Sequence, residues 1–429
     1  MSVEPKNLFC TEAITAGNVD FLIGRTDLIC GIANRLAATN HSAVIFGARG
    51  VGKTTLAWQV VSVLSGSSSR FDKKTILKVG SDRTFRIAFH KCLSSAESYG
   101  DLLIGLLSDN HDQYAFAKVF EKAFIDRDFV SGIQSKYGVN LLRILNFEHS
   151  RQVTRKSIID EITEYVSNDD AKQALFLDVL ARAKQIYGGD FLIVFDELDR
   201  VKSATGLGNF LKDANGIQFI FVGISENIES LINDHRSAVR KLTIIEEAPL
   251  LSQHEIEEIF RTAIKLSMGL LRIDEDYIKS AGRYSGGIPY IAQLLGTEAV
   301  ISELISSRPE DGCLHIKTES FRSHMEKVLA VFRNDKNVLL TVEKLGNLGA
   351  TEVAILKLLM SQSDAMGEQD VRNKLPSKFK RYYQDALSRL SSDLKIVRCR
   401  NKYLSIPEPE IRGFVGFSVD DEFSDAESV

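Results

Sequence analysis

The sequence predicts an α/β fold, with a parallel sheet in the first part of the chain and smaller helical units after it. Three observations predict the sheet. The glycine-rich stretch GARGVG follows the apolar run SAVIF and precedes a helical pattern over residues 54–64, and two further apolar runs, FLIVF and FIFVGI, end in polar residues. Unbroken apolar runs are typical of parallel strands that are buried on both faces, and ligands bind where such strands end.

The remaining elements of this unit follow the same pattern. A predicted turn at Gly24 and Arg25 leads into a helix that ends near residue 40, ahead of the first strand. Strands are expected over 75–80 and 85–92, and residues 96–187 form a mostly helical insert without a chemical motif. A last strand, LTII, follows the segment that carries Arg236 and Arg240.

The glycine-rich stretch matches the phosphate-binding pattern G-x-x-x-x-G-K-[ST], and its strand, loop and helix context is the one that the pattern requires. Glycines let backbone N–H groups surround an anion, and the helix directs its positive dipole end at the same place. In this chemistry the lysine reaches the β- and γ-phosphates and the hydroxyl holds Mg²⁺. The alternative is a tight turn that only opens a helix. The predicted nucleotide-binding residues are Gly47, Ala48, Arg49, Gly50, Val51, Gly52, Lys53, Thr54, Thr55 and Pro289.

Acidic and polar residues follow the two other buried runs. Asp196 is the expected partner of a magnesium ion held by Thr54, and Glu197 is placed to polarise an attacking water. The alternative for this acidic pair is a helix cap. Ser225, after the next strand, has two equal interpretations: contact with the γ-phosphate or its water, or a cap on the following helix.

Composition limits the classes of protein that remain. The chain has 429 residues, 44% hydrophobic and 26% charged, with a formal net charge of -4, which is typical of a globular protein of two or three domains. The five cysteines form no C-x-x-C pair, so neither a disulfide framework nor a zinc site is indicated. A secretion signal and a membrane-length apolar run are not recognisable, so we expect a cytoplasmic protein without a membrane partner.

Changes in pattern divide the chain into segments. A capping box at Ser252 and Glu255 opens a helical region, and three helices with a hairpin near Asn401 predict a winged helix. The predicted segments are an irregular N-terminus over 1–20, the α/β core over 21–248 with its insert at 96–187, a helical lid over 249–332, a winged helix over 333–412 and an acidic disordered tail over 413–429.

The motifs GARGVGKTT, FLIVFDELDR, FIFVGISENIESLINDHRSAVR and SGGIPYIAQLLG, followed by the winged helix, resemble AAA+ type P-loop ATPases, nearest to the origin recognition and STAND groups. The resemblance covers roughly residues 20–410, and its first two motifs are the specific ones. It implies an ATPase whose cofactors are ATP and Mg²⁺. Glu197 is then the catalytic base, assisted by Lys53, with Ser225 as a polar sensor. The segment GGIPYIAQLL lacks the arginine that many AAA+ proteins carry there, and it is closer to the STAND pattern.

The resemblance also bears on partners. It implies a homo-oligomer in which Arg240, or secondarily Arg236, reaches the γ-phosphate of a neighbouring subunit; a surface salt bridge is the alternative for either arginine. The cationic residues between 372 and 402 predict duplex DNA as a partner of the winged helix, through its third helix and its wing. In the alternative, the winged helix packs against protein, and the chain is a STAND-like signalling or defence ATPase that a protein or other ligand triggers without DNA.

Overall fold

The computed structural model describes most of the α/β core, the lid and the C-terminal unit. The described residues are 8–14, 22–68, 76–78, 82–92, 96–109, 113–122, 168–203, 206–223, 241–306, 312–332, 348–360, 366–394, 396–400 and 402–406. In these ranges no helix is long and apolar enough to cross a membrane.

A parallel sheet of five strands forms the centre of the described core, and it confirms the predicted fold class. Its strands are β1 (Ser42–Phe46), β2 (Phe85–Lys91), β3 (Asp190–Asp196), β4 (Ile217–Gly223) and β5 (Leu242–Glu247). They lie in the order β2-β3-β4-β1-β5, and every neighbouring pair is parallel. All carboxyl ends therefore meet at one edge, where β4 alone separates the strand before the glycine loop from the strand that ends in Asp196.

Helices cover both faces of this sheet. They are α1 (Thr26–Ala38), α2 (Lys53–Ser65), α3 (Tyr99–Ser108), α4 (Phe116–Val119), α5 (Asp169–Tyr187) and α6 (Leu207–Asp213). Side chains of α1 and α2 form one apolar cluster with the sheet, and side chains of α3 to α6 form another. Strand β3 contributes alternate residues to the two clusters, which explains why its apolar run shows no alternation with polar residues.

The strand expected over 75–80 is wrong for the part that the structure describes, residues 76–78. The Asn34 side chain takes the place of a neighbouring strand. Its Nδ2 donates to the Ile76 carbonyl, and the Lys78 N–H donates to its Oδ1, both at 2.8 Å. Leu77, between them, is buried against the helical face of the core. An apolar pattern of this length does not distinguish the two arrangements.

The lid begins at the predicted capping box, which the structure contains. Its elements are α7 (Gln253–Leu266), β6 (Leu271–Ile273), α8 (Glu275–Tyr284), α9 (Pro289–Ser306), β7 (Leu314–Ile316) and α10 (Phe321–Phe332). These elements enclose their own apolar cluster, which also includes Leu8 and Phe9 from the N-terminal segment. The sequence gave no indication of that docking.

The C-terminal unit has the element order of a winged helix. It contains α11 (Ala350–Met360), β8 (Met366–Gly367), α12 (Glu368–Lys374), α13 (Ser377–Lys380), α14 (Tyr383–Ser388), β9 (Arg398–Arg400) and β10 (Tyr403–Ser405), and its sheet has the order β8-β10-β9. The single helix expected over 377–394 is divided by a turn at residues 381–382 and ends in a π-helical turn. Tyr383 is 1% exposed, so burial of its ring fixes the start of α14.

Gly287, in the turn between α8 and α9, lies against the chain that enters the lid. Its φ is 78°, its carbonyl accepts from the Leu251 N–H at 2.8 Å, and an added Cβ would lie 2.6 Å from the Leu251 carbonyl oxygen. Gly312, also in the lid, has φ 76° but open space around an added Cβ. The two glycines thus share backbone strain and differ in crowding.

We expect Gly287→Ala to destabilise the protein more than Gly312→Ala. The left-handed conformation alone costs an alanine about 1–2 kcal/mol, and overpacking at Gly287 adds about 1–3 kcal/mol. Urea unfolding of both variants measures the difference. Equal unfolding free energies would contradict close packing of the turn against Leu251.

Candidate nucleotide-binding site

The glycine loop connects β1 to α2 at the carboxyl edge of the sheet. Gly47, Gly50 and Gly52 have φ values of 145°, 75° and 89°, which other residues rarely adopt. Gly52 is the N-cap of α2, no side chain caps that end, and its first turn carries no acidic residue. The free N–H groups of a 13-residue helix therefore begin where the loop ends.

Lys53 folds back over this loop. Its Nζ donates to the Gly47 carbonyl at 3.0 Å and to the Ala48 carbonyl at 2.8 Å. The ammonium group is therefore held beside the backbone N–H groups of the same loop. Both kinds of donor favour the same ligand, a group of phosphate oxygens.

Thr54 and Asp196 meet across 142 residues of sequence separation. The Thr54 hydroxyl lies 3.1 Å from Oδ1 of Asp196 and 3.0 Å from its Oδ2. Asp196 is 2% exposed, and burial raises the pKa of its carboxyl to about 6, against the lowering effect of the Thr54 hydrogen bond. A buried carboxylate with so few donors is electrostatically incomplete, which is the condition in which a cation is a favourable neighbour.

Glu197 occupies a left-handed backbone conformation with φ 56°, which is uncommon for a residue with a side chain. Its N–H donates to Asp196 Oδ1 at 3.0 Å. Lys91 Nζ lies 3.0 Å from Glu197 Oε1, and Arg200 Nε lies 2.6 Å from Oε2, close enough for an ion pair but outside hydrogen-bond geometry. Two cations thus fix the carboxylate at the pocket wall.

These residues line a cavity of about 770 Å³ between the core, the lid and the N-terminal segment. Its phosphate end contains the loop residues, Asp196 and Glu197, while its other end is lined by apolar side chains, among them Leu22, Ile29 and Ile259. A pocket with one apolar end and one end rich in polar donors suits a ligand with a planar base and a phosphate tail.

Arg25 borders the same cavity beside the loop. Its Nη2 donates to the Pro249 carbonyl at 2.5 Å, and its Nη1 lies 3.1 Å from the position of a Cβ added to Gly52. Burial lowers the pKa of its guanidinium to about 10, with Glu255 acting in the opposite direction. The predicted turn at Gly24 and Arg25 therefore contributes a cation to the pocket wall.

The other predicted binding residues occupy different positions around the loop. Arg49 is exposed, whereas Val51 is buried in the apolar cluster under α2. The Thr55 hydroxyl accepts from the Ile14 N–H at 3.1 Å. Pro289 begins α9 at the pocket wall near Gly52, as predicted for a lid residue. Ser225, Arg236 and Arg240 lie outside the described residues.

Sequence reasoning missed Lys91, Arg200 and the N-terminal segment. Lys91 is paired with Asp196 in the register of β2 and β3, so only the strand alignment brings it to Glu197. Arg200 lies three residues after Glu197, at a spacing that a 3₁₀ turn brings together. That second contact was open to prediction from the letters DELDR.

The residues present fit Mg²⁺ bound together with a nucleotide. Magnesium is held in proteins by one or two carboxylates, hydroxyl groups and substrate phosphates, and Thr54 and Asp196 supply such oxygens beside the phosphate loop. Within the described part of the chain, no group of three or more His, Cys, Asp or Glu residues could hold a metal ion alone. A magnesium ion here would depend on the phosphates of its ligand.

Comparison with known proteins adds a fold likeness. No protein-family model matches the sequence, and no curated protein does. Among solved structures, a Walker-type ATPase of Pyrococcus abyssi has 15% identity and a TM-score of 0.48, and the match covers 95% of this chain and 99% of that one. The ORC2 protein of Aeropyrum pernix, in ADPNP and ADP complexes, has 14% identity and a TM-score of 0.48, with 96% and 98% covered.

The ORC1 protein of Aeropyrum pernix, in complex with DNA, has 15% identity and a TM-score of 0.42, with 96% and 95% covered. Because these TM-scores are below 0.5 and the identities below 25%, the likeness does not assign a function to this chain. The sheet, its phosphate loop and the flanking helices are themselves those of a P-loop nucleoside triphosphatase fold.

We expect Asp196→Asn to stabilise the ligand-free protein in a pH-dependent way. Burial raises the pKa of Asp196 from 3.8 to about 6. The folded state therefore holds the proton more tightly, and the cost of the ionised form is absent below about pH 4 and complete above about pH 6. Asparagine avoids that cost, so the gain is about 1–3 kcal/mol at pH 8 and vanishes towards pH 4.

Denaturant unfolding without nucleotide or magnesium measures this gain. Asp276→Asn is the control, because the Asp276 side chain is 77% exposed. A gain at Asp196 that did not change between pH 4 and pH 8 would show that its carboxyl is not buried as the structure describes.

Proposed function

We propose that this protein binds ATP with Mg²⁺, hydrolyses the β–γ bond and uses the nucleotide state to control the position of its lid and the binding of partners. The observation that carries the proposal is the contact of Thr54 with the buried Asp196 beside a glycine loop with free helix N–H groups. A tight turn that only opens a helix would not require a buried carboxylate at this place.

The chain's own residues supply binding and charge. Backbone N–H groups of the loop and the Lys53 ammonium bind the β- and γ-phosphates. Thr54 and Asp196 would hold Mg²⁺, which neutralises phosphate charge when it is bound. The apolar end of the cavity receives the base. Catalysis in this scheme comes from positioning and electrostatics, because phosphoryl transfer needs little covalent chemistry from the protein.

Glu197 is the residue that we propose orients the attacking water. Its carboxylate accepts a hydrogen bond from the water and aligns it with the γ-phosphate. Lys91 and Arg200 limit the positions that this carboxylate can adopt. A charge clamp from Arg240, or from Arg236, of a neighbouring subunit belongs to the same proposal, and it requires a homo-oligomer.

The lid touches the phosphate loop directly, which supports a nucleotide-controlled switch. The Tyr290 N–H donates to the Gly50 carbonyl at 3.4 Å, and a Cβ on Gly50 would lie 3.1 Å from Cγ2 of Ile288. A change in the loop on hydrolysis would thus be felt at the start of α9. Nucleotide-dependent rotation between two domains is a common way to control assembly or partner binding.

Duplex DNA is the partner that we propose for the winged helix. Exposed cations lie on α12, on α13 and in the turn before α14: Arg372, Lys374, Lys378, Lys380 and Arg381. In the third predicted helix, by contrast, Arg389 pairs with the buried Glu352 at 3.1 Å. The exposed cations suit phosphate contacts, which fix position on DNA without reading its sequence.

Glu197→Gln is expected to abolish turnover while ATP affinity stays within about threefold of the wild type. Glutamine keeps the size of the side chain but accepts protons poorly, and loss of a general base costs about 10²–10⁴-fold in rate. Phosphate release at saturating ATP gives the rate, and calorimetry gives the affinity. Glu326→Gln, at an exposed lid position, is the control. Wild-type turnover in Glu197→Gln would refute the assignment.

The double variant Lys378→Ala, Lys380→Ala is expected to bind duplex DNA less tightly and with a weaker salt dependence. Each lost phosphate contact lowers the slope of log K against log salt by about 0.9. The matched control, Lys265→Ala with Lys317→Ala, removes two exposed lid lysines. Equal DNA affinity in both double variants would contradict DNA binding through α13. An ATPase rate indifferent to DNA would favour a protein trigger.

A further inference from the structure

The N-terminal segment Leu8–Ile14, here called the strap, contains neither helix nor strand. Leu8 and Phe9 are nevertheless 1% and 6% exposed. Both belong to the apolar cluster of the lid, whereas Ile14 packs on the cluster under α2. The strap therefore connects the lid to the helix that begins at the phosphate loop.

A socket in the lid holds the Phe9 ring. Gly296 lies in the middle of α9, and a Cβ on it would be 2.2 Å from Cε1 of Phe9 and 2.3 Å from Cδ1. The Phe260 ring lies 5.3 Å from the Phe9 ring on a tilted plane. Glycine is unfavourable inside a helix, so its presence here is explained by the ring that takes the place of a side chain.

Hydrogen bonds fix the strap at both ends. The Cys10 N–H donates to Oε1 of Gln293 at 2.8 Å, one turn of α9 before Gly296. At the other end, the Ile14 N–H donates to the Thr55 hydroxyl at 3.1 Å, and Gln59 Nε2 donates to the Ile14 carbonyl at 2.9 Å. Because Thr55 follows Thr54, the second anchor is next to the phosphate site.

Between these anchors the strap forms a wall of the cavity. Residues 10–14 line it together with Leu22, Ile23 and Ile29 of the core and Leu251 and Ile259 of the lid. These apolar neighbours define the end of the cavity away from the acidic pair. A base in that end would pack against the strap, while a bare phosphate chain would not reach it.

We propose that Phe9 is a positioning residue that holds the strap as the base-side wall and thereby gives this chain its preference for a nucleoside triphosphate over bare triphosphate. The inference rests on the proposed function, since it assumes that the loop binds phosphate. It adds that the base is recognised through a segment anchored in the lid, so base binding and lid position depend on each other.

Calorimetric titration of the full chain with Mg-ATP and with Mg-tripolyphosphate tests this proposal. In Phe9→Ala we expect ATP affinity to fall at least tenfold and tripolyphosphate affinity to stay within about twofold. Phe9→Leu, which still fills part of the socket, should recover part of the loss. The matched control is Phe321→Ala, which truncates another ring of the lid core whose partners are Tyr277 and Tyr284. It should leave the ratio of the two affinities unchanged.

Gln293→Leu gives a second test that keeps the lid core intact. Loss of the acceptor for the Cys10 N–H should lower ATP affinity without changing tripolyphosphate affinity. An unchanged affinity ratio in both Phe9→Ala and Gln293→Leu, or in Gln293→Leu alone if Phe9→Ala does not fold, would overturn the role of Phe9 while leaving the phosphate site intact. A wild-type protein that bound neither ligand would overturn the proposed function and this inference together.

Discussion

The site depends on the placement of one buried carboxylate, Asp196, against the first turn of α2. Strands β1 and β3 run parallel with β4 between them, so the helix N-terminus and the carboxylate reach the same edge of the sheet. Asp196 is ionised above about pH 6 despite its burial, because the pKa is raised only to about that value. The fold thus maintains an unfavourable charge at the point where a cation and phosphates would compensate it.

Much of this arrangement was predictable from short-range patterns. The glycine loop, the apolar run before Asp196 and the capping box at Ser252 each contain their information within a few residues. The contacts that complete the site do not. Lys91 reaches Glu197 through the register of two strands, and Asn34 replaces a strand at residues 76–78 through its side chain. Such pairings depend on tertiary placement, which a single sequence does not specify.

The lid and the strap show how distant parts of the chain meet at the phosphate loop. Gly50 is close to Ile288 and Tyr290 because it has no side chain, and Gly296 gives room to Phe9 for the same reason. An irregular N-terminus was the expectation for residues 1–20, and neither helix nor strand occurs in the described residues 8–14. Irregular backbone does not mean an unattached segment, since this one is fixed by side chains on both sides of the cavity.

Titration of Mg-ATP into the wild-type protein and into Lys53→Ala tests phosphate binding by the loop most directly. The Lys53 ammonium is held at the loop by the carbonyls of Gly47 and Ala48, where phosphate oxygens would accept from it. Loss of a charge-assisted contact of this kind predicts at least a tenfold weaker affinity in Lys53→Ala, with an unchanged unfolding transition in the absence of nucleotide. Equal affinities for the two proteins would show that the glycine loop is not a phosphate site.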